Sequence, residues 1–306
     1  MTTRDAVVVL VHFSSPELDR HIARLRRETQ GIIDVFVAFN IGKAEALPPG
    51  ASADIVITLD KCAATQPRRF SEYRSHGVES IYQFTDMVML VALSDPVLAP
   101  YEHIWFIEYD VDYSGNWGDF FRRTAPYQGD LLATHMRTRS EQPDFDHWFW
   151  YEQPDWVKVE AVRGFFPISR FSRPMIRTLL TEMEKPGWKG HFELVYPTLA
   201  RACGLTIGDL GDRGSFTPPE RERQNYVRGE RTHMFRPPRS FQYFGDDPRR
   251  YRHRDRIYHP IKTEWPLSRK LKEIVGVYWY RANKTPTVMR LRERLGFSPM
   301  RPKIGR

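Results

Sequence analysis

The chain has 306 residues, 41% of them hydrophobic and 27% charged, with a formal net charge of +8. That length carries one large α/β domain or two small ones, and the composition is that of a folded protein rather than a disordered or fibrous one. The two cysteines, Cys62 and Cys203, lie far apart and outside any CxxC, which excludes a disulfide framework and a cysteine-based zinc site.

The first apolar run, in MTTRDAVVVLVHF, is too short to span a membrane and has no signal-peptide cleavage pattern. It reads as the first strand, and the expected compartment is the cytoplasm. The charge is uneven. From Arg213 onward there are 24 Lys and Arg against 9 Asp and Glu, net +15, whereas residues 1–212 carry net −7. A basic tail on a mildly acidic domain points to a polyanionic neighbour, such as ligand phosphates or anionic lipid, or to no more than a solvated basic surface.

Ala6 to Phe13 reads as a buried strand. Ser14 or Ser15 can cap the helix that follows, with Pro16 in its first turn and apolar spacing through Thr29. Asp34 to Asn40 is a second strand, so residues 6–40 form a β-α-β unit with parallel pairing. No GxGxxG follows the first strand, which excludes the dehydrogenase-type dinucleotide fingerprint; the turn offers His12, Ser14 and Ser15 instead. Ala53 to Leu59 is a third strand. Residues 63–80 are polar and basic and read as irregular; Tyr82 to Leu93 reads as an apolar helix.

The stretch HIWFIEYDVDYSGNWGDFF, residues 103–121, is the most informative. Ile104, Trp105, Phe106 and Ile107 describe a strand buried on both faces, and they run straight into Glu108, Asp110 and Asp112. Carboxylates at the end of such a strand are costly to bury unless paired, hydrogen-bonded or bound to a metal. Asp110-Val111-Asp112 can bring two carboxylates to one divalent ion if the chain turns there, and Gly115, Asn116 and Gly118 favour a turn. The carboxyl edge of an open α/β sheet is where ligands bind.

Downstream, Trp117 to Arg123 suggests a short helix, Asp130 to His135 a strand, and residues 141–157 a long aromatic loop over the site rather than core. Gly164 to Ser169 is strand-like, Pro174 starts a helix through Met183, Leu194 to Cys203 is helical, and Leu205 to Leu210 is a last strand. From residue 213 the prolines and arginines describe a basic wrapping arm, with YHPIK at 258–262 as its compact island and basic helices within 266–306.

An apolar strand running into a DxD near residue 110 resembles the GT-A class of nucleotide-sugar glycosyltransferases, over roughly residues 6–210. The stretch GHFELVYPTLARACG, residues 190–204, is similar to the acceptor-side segment of several inverting GT-A families, including the branching N-acetylglucosaminyltransferases; YHPIK resembles the segment that returns to metal and diphosphate in metal-using members. The resemblance implies a doubly wound, mostly parallel α/β sheet with helices on both faces and a basic C-terminal arm. The nucleotide half would cover about 1–112, the acceptor half about 113–212, and the arm 213–306.

For the site, the resemblance implies Glu193 as the base, Asp110, Asp112 and His259 as ligands of Mn²⁺ or Mg²⁺, and His12, Asp110, Trp117 and Lys262 on the donor. Each has a plainer alternative. Glu193 can serve only the helix dipole, His259 can be a loop histidine, and Trp117 can anchor the turn instead of stacking on sugar. Glu108 is an extra acid ahead of the DxD, which leaves open either a different ligand set or a metal-free site.

The function implied is transfer of a sugar from a UDP- or GDP-linked donor to a hydroxyl of a glycan or lipid-linked acceptor, acting in the cytoplasm on a surface polysaccharide or lipid-linked glycan precursor. Inversion is the expected outcome. Two other functions compete. A metal-dependent nucleotidyl transferase would want a Gly-rich basic loop after the first strand, which HFSSPELDR lacks. A basic nucleic-acid-binding module would use Tyr226, Phe235, Phe241, Tyr243 and Tyr251 among the arginines, but it leaves the three acids unexplained, so nucleic acid is not the expected partner. Tyr278-Trp279-Tyr280 among basic residues can rest on anionic membrane or simply pack, so peripheral placement at an inner membrane face is a further expectation.

Overall fold

The computed structural model describes residues 4–42, 44, 46–75, 85–145, 148–149, 151–211, 213–226, 254–259 and 261. Nine strands and seven α-helices lie within them. In chain order these are β1 (Asp5–Val11), α1 (Pro16–Glu28), β2 (Asp34–Gly42), β3 (Ile55–Thr58), α2 (Leu59–Thr65), α3 (Pro67–Ser75), α4 (Thr85–Ser94), β4 (His103–Glu108) and β5 (Asp112–Tyr113). Then come α5 (Trp117–Thr124), β6 (Leu131–Thr138), β7 (Val162–Ser172), α6 (Arg173–Glu182), α7 (Phe192–Ala202), β8 (Ile207–Asp209) and β9 (Ile257–Tyr258).

Seven strands form one sheet in the order β3-β2-β1-β4-β7-β6-β8. β1 pairs in parallel with β2 and β4, β2 with β3, and β6 with β8, while β7 runs antiparallel to both β4 and β6. This is the α/β class with a mostly parallel sheet, as expected; the antiparallel β7 makes it mixed. β5 and β9 form a separate two-stranded ribbon.

The period of two in the central strands sorts the core into two layers. Ala6, Val8, Ile104 and Phe106 face a cluster with residues of α2, α4, α6 and α7. Val7, Val9, Trp105 and Ile107 face the other cluster, with Leu18 and Leu25 of α1 and Trp117, Phe120 and Phe121 of α5. Helices therefore cover both faces. The start of α1 is as its sequence dictates: Ser15 is the N-cap, its hydroxyl accepting from the Leu18 amide, with Pro16 in the first turn.

Two expectations are corrected. Of residues 63–80, expected to be irregular, those up to 75 lie in the end of α2 and in α3, because α3 is held by tertiary bonds. Arg68 donates to the carbonyls of Met183, the C-cap of α6, and of Glu184 and Lys185 just beyond it. Buried Arg69 pairs with Asp86 of α4 at 2.7 Å. Residues 141–157 are not simply a cover over the site either. Trp148, Tyr151 and Val157 are buried in the larger core cluster, while Phe149 and Trp156 are 82% and 46% exposed.

The start of the expected arm, residues 213–226, packs back on the domain. Tyr226 is fully buried and donates its hydroxyl to Asp209, at 2.7 and 2.9 Å from the two oxygens, while accepting from the amide of His135. Asn225 accepts the Ile257 amide through its carbonyl, so both flanks of residues 227–253 are tied to the same place. Lys262, residues 76–84 and the helices expected within 266–306 lie outside the described residues. No described helix is long and apolar enough to cross a membrane.

Candidate functional site

From β1 the chain moves outward to β2 and β3, then returns to the other side of β1 as β4. The crevice at the carboxyl ends of β1 and β4 is therefore a topological switch point, where open α/β sheets bind ligands. His12 leaves β1 on one side of it. Glu108 and Asp110 leave β4 on the other. The Tyr109 amide still donates to the Leu10 carbonyl, which keeps the two chain exits side by side. The rings of His12, Phe13 and Tyr109 meet edge to face at 4.9–5.1 Å between centroids.

The C-terminal segment comes back to this edge. β9 pairs antiparallel with β5, Asp112 opposite Tyr258, and the Ile261 amide donates to the Asp110 carbonyl at 2.7 Å. His259 is thereby placed with its Nε2 3.2 Å from a Glu108 oxygen and 3.4 Å from an Asp110 oxygen. Burial pulls the His259 imidazole down, but the charges of Asp110 and Glu108 and its hydrogen bonds to them outweigh it, and its pKa is pushed up to about 9. The resting triad is thus a buried imidazolium between two carboxylates.

The same three residues fit a divalent cation. Their ligand atoms all lie within 4.8 Å of one another. An octahedral cation with bonds of about 2.1 Å holds neighbouring ligands about 3 Å apart, close to the separations found between His259 and the two acids. Two carboxylates and one imidazole suit Mn²⁺ somewhat better than Mg²⁺.

Asp112 does not join them, which corrects the ligand set expected from DxD. Its carboxylate accepts from Nη1 of Arg24 on α1, at 2.9 and 3.2 Å, and from its neighbour's amide, that of Tyr113, at 2.7 Å. Glu108, the extra acid, takes the place that Asp112 was expected to fill. Trp117 is corrected too. It is fully buried beneath the turn, against Tyr113, Phe120 and Phe121, so it anchors α5 and is not available to a donor sugar.

Glu193 stands in the first turn of α7, and His191 is that helix's N-cap. His191 Nδ1 lies 3.4 Å from both the Glu193 amide and a Glu193 carboxylate oxygen. Burial draws the His191 pKa down; the hydrogen bond to Glu193 and its charge, with smaller pulls from Asp86 and Glu108, leave it raised. The charge of Glu108 thus reaches His191 at the start of α7.

Tyr226, one of the aromatics that a nucleic-acid surface would need, is buried on Asp209 and offers no stacking face; Phe235, Phe241, Tyr243 and Tyr251 lie outside the described residues. Sequence reasoning passed over two residues in the surroundings of the site. Arg24 reads as one more cation of an amphipathic helix. His135 reads as a strand residue, yet it sits at a positive φ of 54°, fully buried, with its ring between Tyr226 and Phe165; Phe165 in turn touches His259. No protein-family model matches the sequence, and no match to a curated protein is found.

Proposed function

We propose that the chain is a metal-dependent glycosyltransferase that moves a sugar from a nucleoside-diphosphate donor to an acceptor hydroxyl with inversion. The observation that carries this reading is the return of His259 to Glu108 and Asp110 at the switch point of the sheet. Two carboxylates would repel a diphosphate by themselves, so an acidic crevice at a nucleotide-type sheet edge makes sense with a cation between them. Mn²⁺ or Mg²⁺ held by Glu108, Asp110 and His259 would neutralise the charge that gathers on the leaving diphosphate.

The chain's own residues supply the rest. His12, with Phe13 and Tyr109, lines the crevice beside the acids, where the donor would lie. Glu193 takes the proton from the acceptor hydroxyl as that oxygen bonds to the anomeric carbon; the bond from that carbon to the diphosphate oxygen breaks, and its electron pair leaves with the diphosphate. His191, with its nitrogen beside the Glu193 carboxylate, holds that carboxylate in place. The acceptor class is a glycan or a lipid-linked glycan.

The test is turnover of UDP- and GDP-sugars with Mn²⁺ over an acceptor panel, on the wild type and Glu193→Gln. Removal of a general base costs about 10²–10⁴ in kcat, and the variant is expected to keep donor affinity. Wild-type turnover that Glu193→Gln matches within a factor of two would remove Glu193 from the role. No turnover and no nucleotide binding by the wild type would remove the activity itself.

A further inference from the structure

Two of the three nitrogens of the Arg24 guanidinium donate to the turn that follows β4, and the third ties it to its own helix. Nε donates to Glu28 one helical turn on, at 2.9 Å. Nη1 donates to both oxygens of Asp112. Nη2 donates to the carbonyls of Tyr113 and Gly115, at 2.9 and 2.7 Å. The fork spans one side chain and two backbone carbonyls, and Glu28 fixes its far edge while its other oxygen accepts the Trp117 amide at the start of α5. A lysine, with one compact charge, cannot reproduce that span.

The turn so held is the one that aims the acids. β4 ends at Glu108, β5 begins at Asp112, and Asp110 lies between. Clamping Asp112, Tyr113 and Gly115 onto α1 fixes the C-terminal side of that short link, and its N-terminal side is already fixed in the sheet. β5 then offers its edge to β9, which delivers His259. His21, on the same face of α1, adds a nitrogen 3.8 Å from Asp112.

We infer that Arg24 is a positioning residue for the metal centre: it withdraws Asp112 from the ligand set and sets the turn so that Glu108 and Asp110 meet His259. This rests on the reading of that triad as a cation site. Asp112, with its carboxylate committed to the guanidinium, belongs to the clamp and not to the cation. Its replacement by Asn keeps an acceptor for Arg24 and leaves both carbonyl contacts in place.

The experiment is Mn²⁺ binding to the full chain, by calorimetry and by pulsed electron paramagnetic resonance of bound Mn²⁺, which reads the ¹⁴N coupling of a ligating imidazole. The proteins are the wild type, Asp110→Asn, Asp112→Asn, Arg24→Gln and Arg24→Lys, each at a temperature where it is fully folded. Loss of a residue that orients metal ligands typically costs about 10- to 100-fold in affinity. That loss is expected for both Arg24 variants, with a weakened or heterogeneous ¹⁴N coupling, whereas Asp112→Asn stays within about threefold of the wild type on the same scale. A general loss of stability would lower the melting temperature without moving either readout. Should Arg24→Gln not fold, Arg24→Lys, which keeps the charge and loses the fork, decides the matter alone.

Folded Arg24→Lys with wild-type affinity and coupling overturns the positioning role and leaves the cation site standing. So does an Asp112→Asn loss as large as that of Asp110→Asn, because Asp112 would then be a ligand. A wild type that binds no Mn²⁺, or an Asp110→Asn variant that binds it unchanged, removes the cation site itself.

Discussion

The buried imidazolium at His259 makes the stability of the metal-free protein depend on pH in a stated direction. In the unfolded chain the imidazole titrates near 6.5, and in the fold near 9, because Asp110 and Glu108 hold the proton against the penalty of burial. The folded value is the higher one. The favourable term is therefore complete below pH 6.5 and is lost as pH rises through 9. At 1.36 kcal/mol per pH unit, the separation is worth about 3 kcal/mol. Urea unfolding of the wild type and of His259→Asn, without metal, from pH 6 to pH 10 measures it. The gap between the two proteins is expected to be widest at pH 6 and to close by about 3 kcal/mol by pH 10. A gap that stays constant over that range refutes the ion-paired triad. Excess Mn²⁺ reverses the trend, because a cation takes the neutral imidazole, so metal stabilisation grows as pH rises.

Three further outcomes follow from packing. Arg69→Met strands the Asp86 carboxylate, 2% exposed, without its cation, and is expected to lower the unfolding free energy by about 3–5 kcal/mol; a change below about 1 kcal/mol in urea titration would contradict the buried pair as a structural tie. Gly118→Ala would put a Cβ 2.5 Å from the Glu28 carbonyl oxygen, forcing α5 off α1 at about 1–3 kcal/mol, and wild-type stability would mean that the two helices do not cross so closely. Tyr226→Phe takes a donor from buried Asp209 and an acceptor from the His135 amide, for a loss of about 1–3 kcal/mol in the same assay; no loss would show that the 213–226 segment is not fastened there.

What was legible in the sequence is what local physics decides. The apolar runs of β1, β2 and β4 state their own burial, and Ser14 or Ser15 with Pro16 marks the start of α1, the fold choosing Ser15 as the cap. The strand-to-acid transition at Glu108 placed the acids at the carboxyl edge of the sheet, where Glu108 and Asp110 meet His259. His259 joined it through a motif resemblance, and no periodicity would have found it, because its contacts cross more than 140 residues of sequence. Other features were settled by partners that a one-dimensional reading does not see. Asp112 looks like half of a metal pair until Arg24, 88 residues earlier, claims it. Residues 63–75 look too polar for order, yet Arg68 and Arg69 spend their charge on α6 and α4. Trp117 follows Gly115 and Asn116 in a turn-like stretch, but the turn folds it inward beneath β5. The aromatic run at 141–157 has no period because it is neither helix nor strand; its core residues are chosen one by one by what they cover.

The central claim is that Glu108, Asp110 and His259 hold a divalent cation on which a nucleoside diphosphate depends for binding. Calorimetric titration of UDP and GDP, with 1:1 Mn²⁺ and with chelator, into the wild type and Asp110→Asn tests it directly. The account predicts that one nucleotide binds the wild type only with Mn²⁺ and that Asp110→Asn abolishes that binding while remaining folded. Nucleotide binding that survives both the chelator and Asp110→Asn would contradict it.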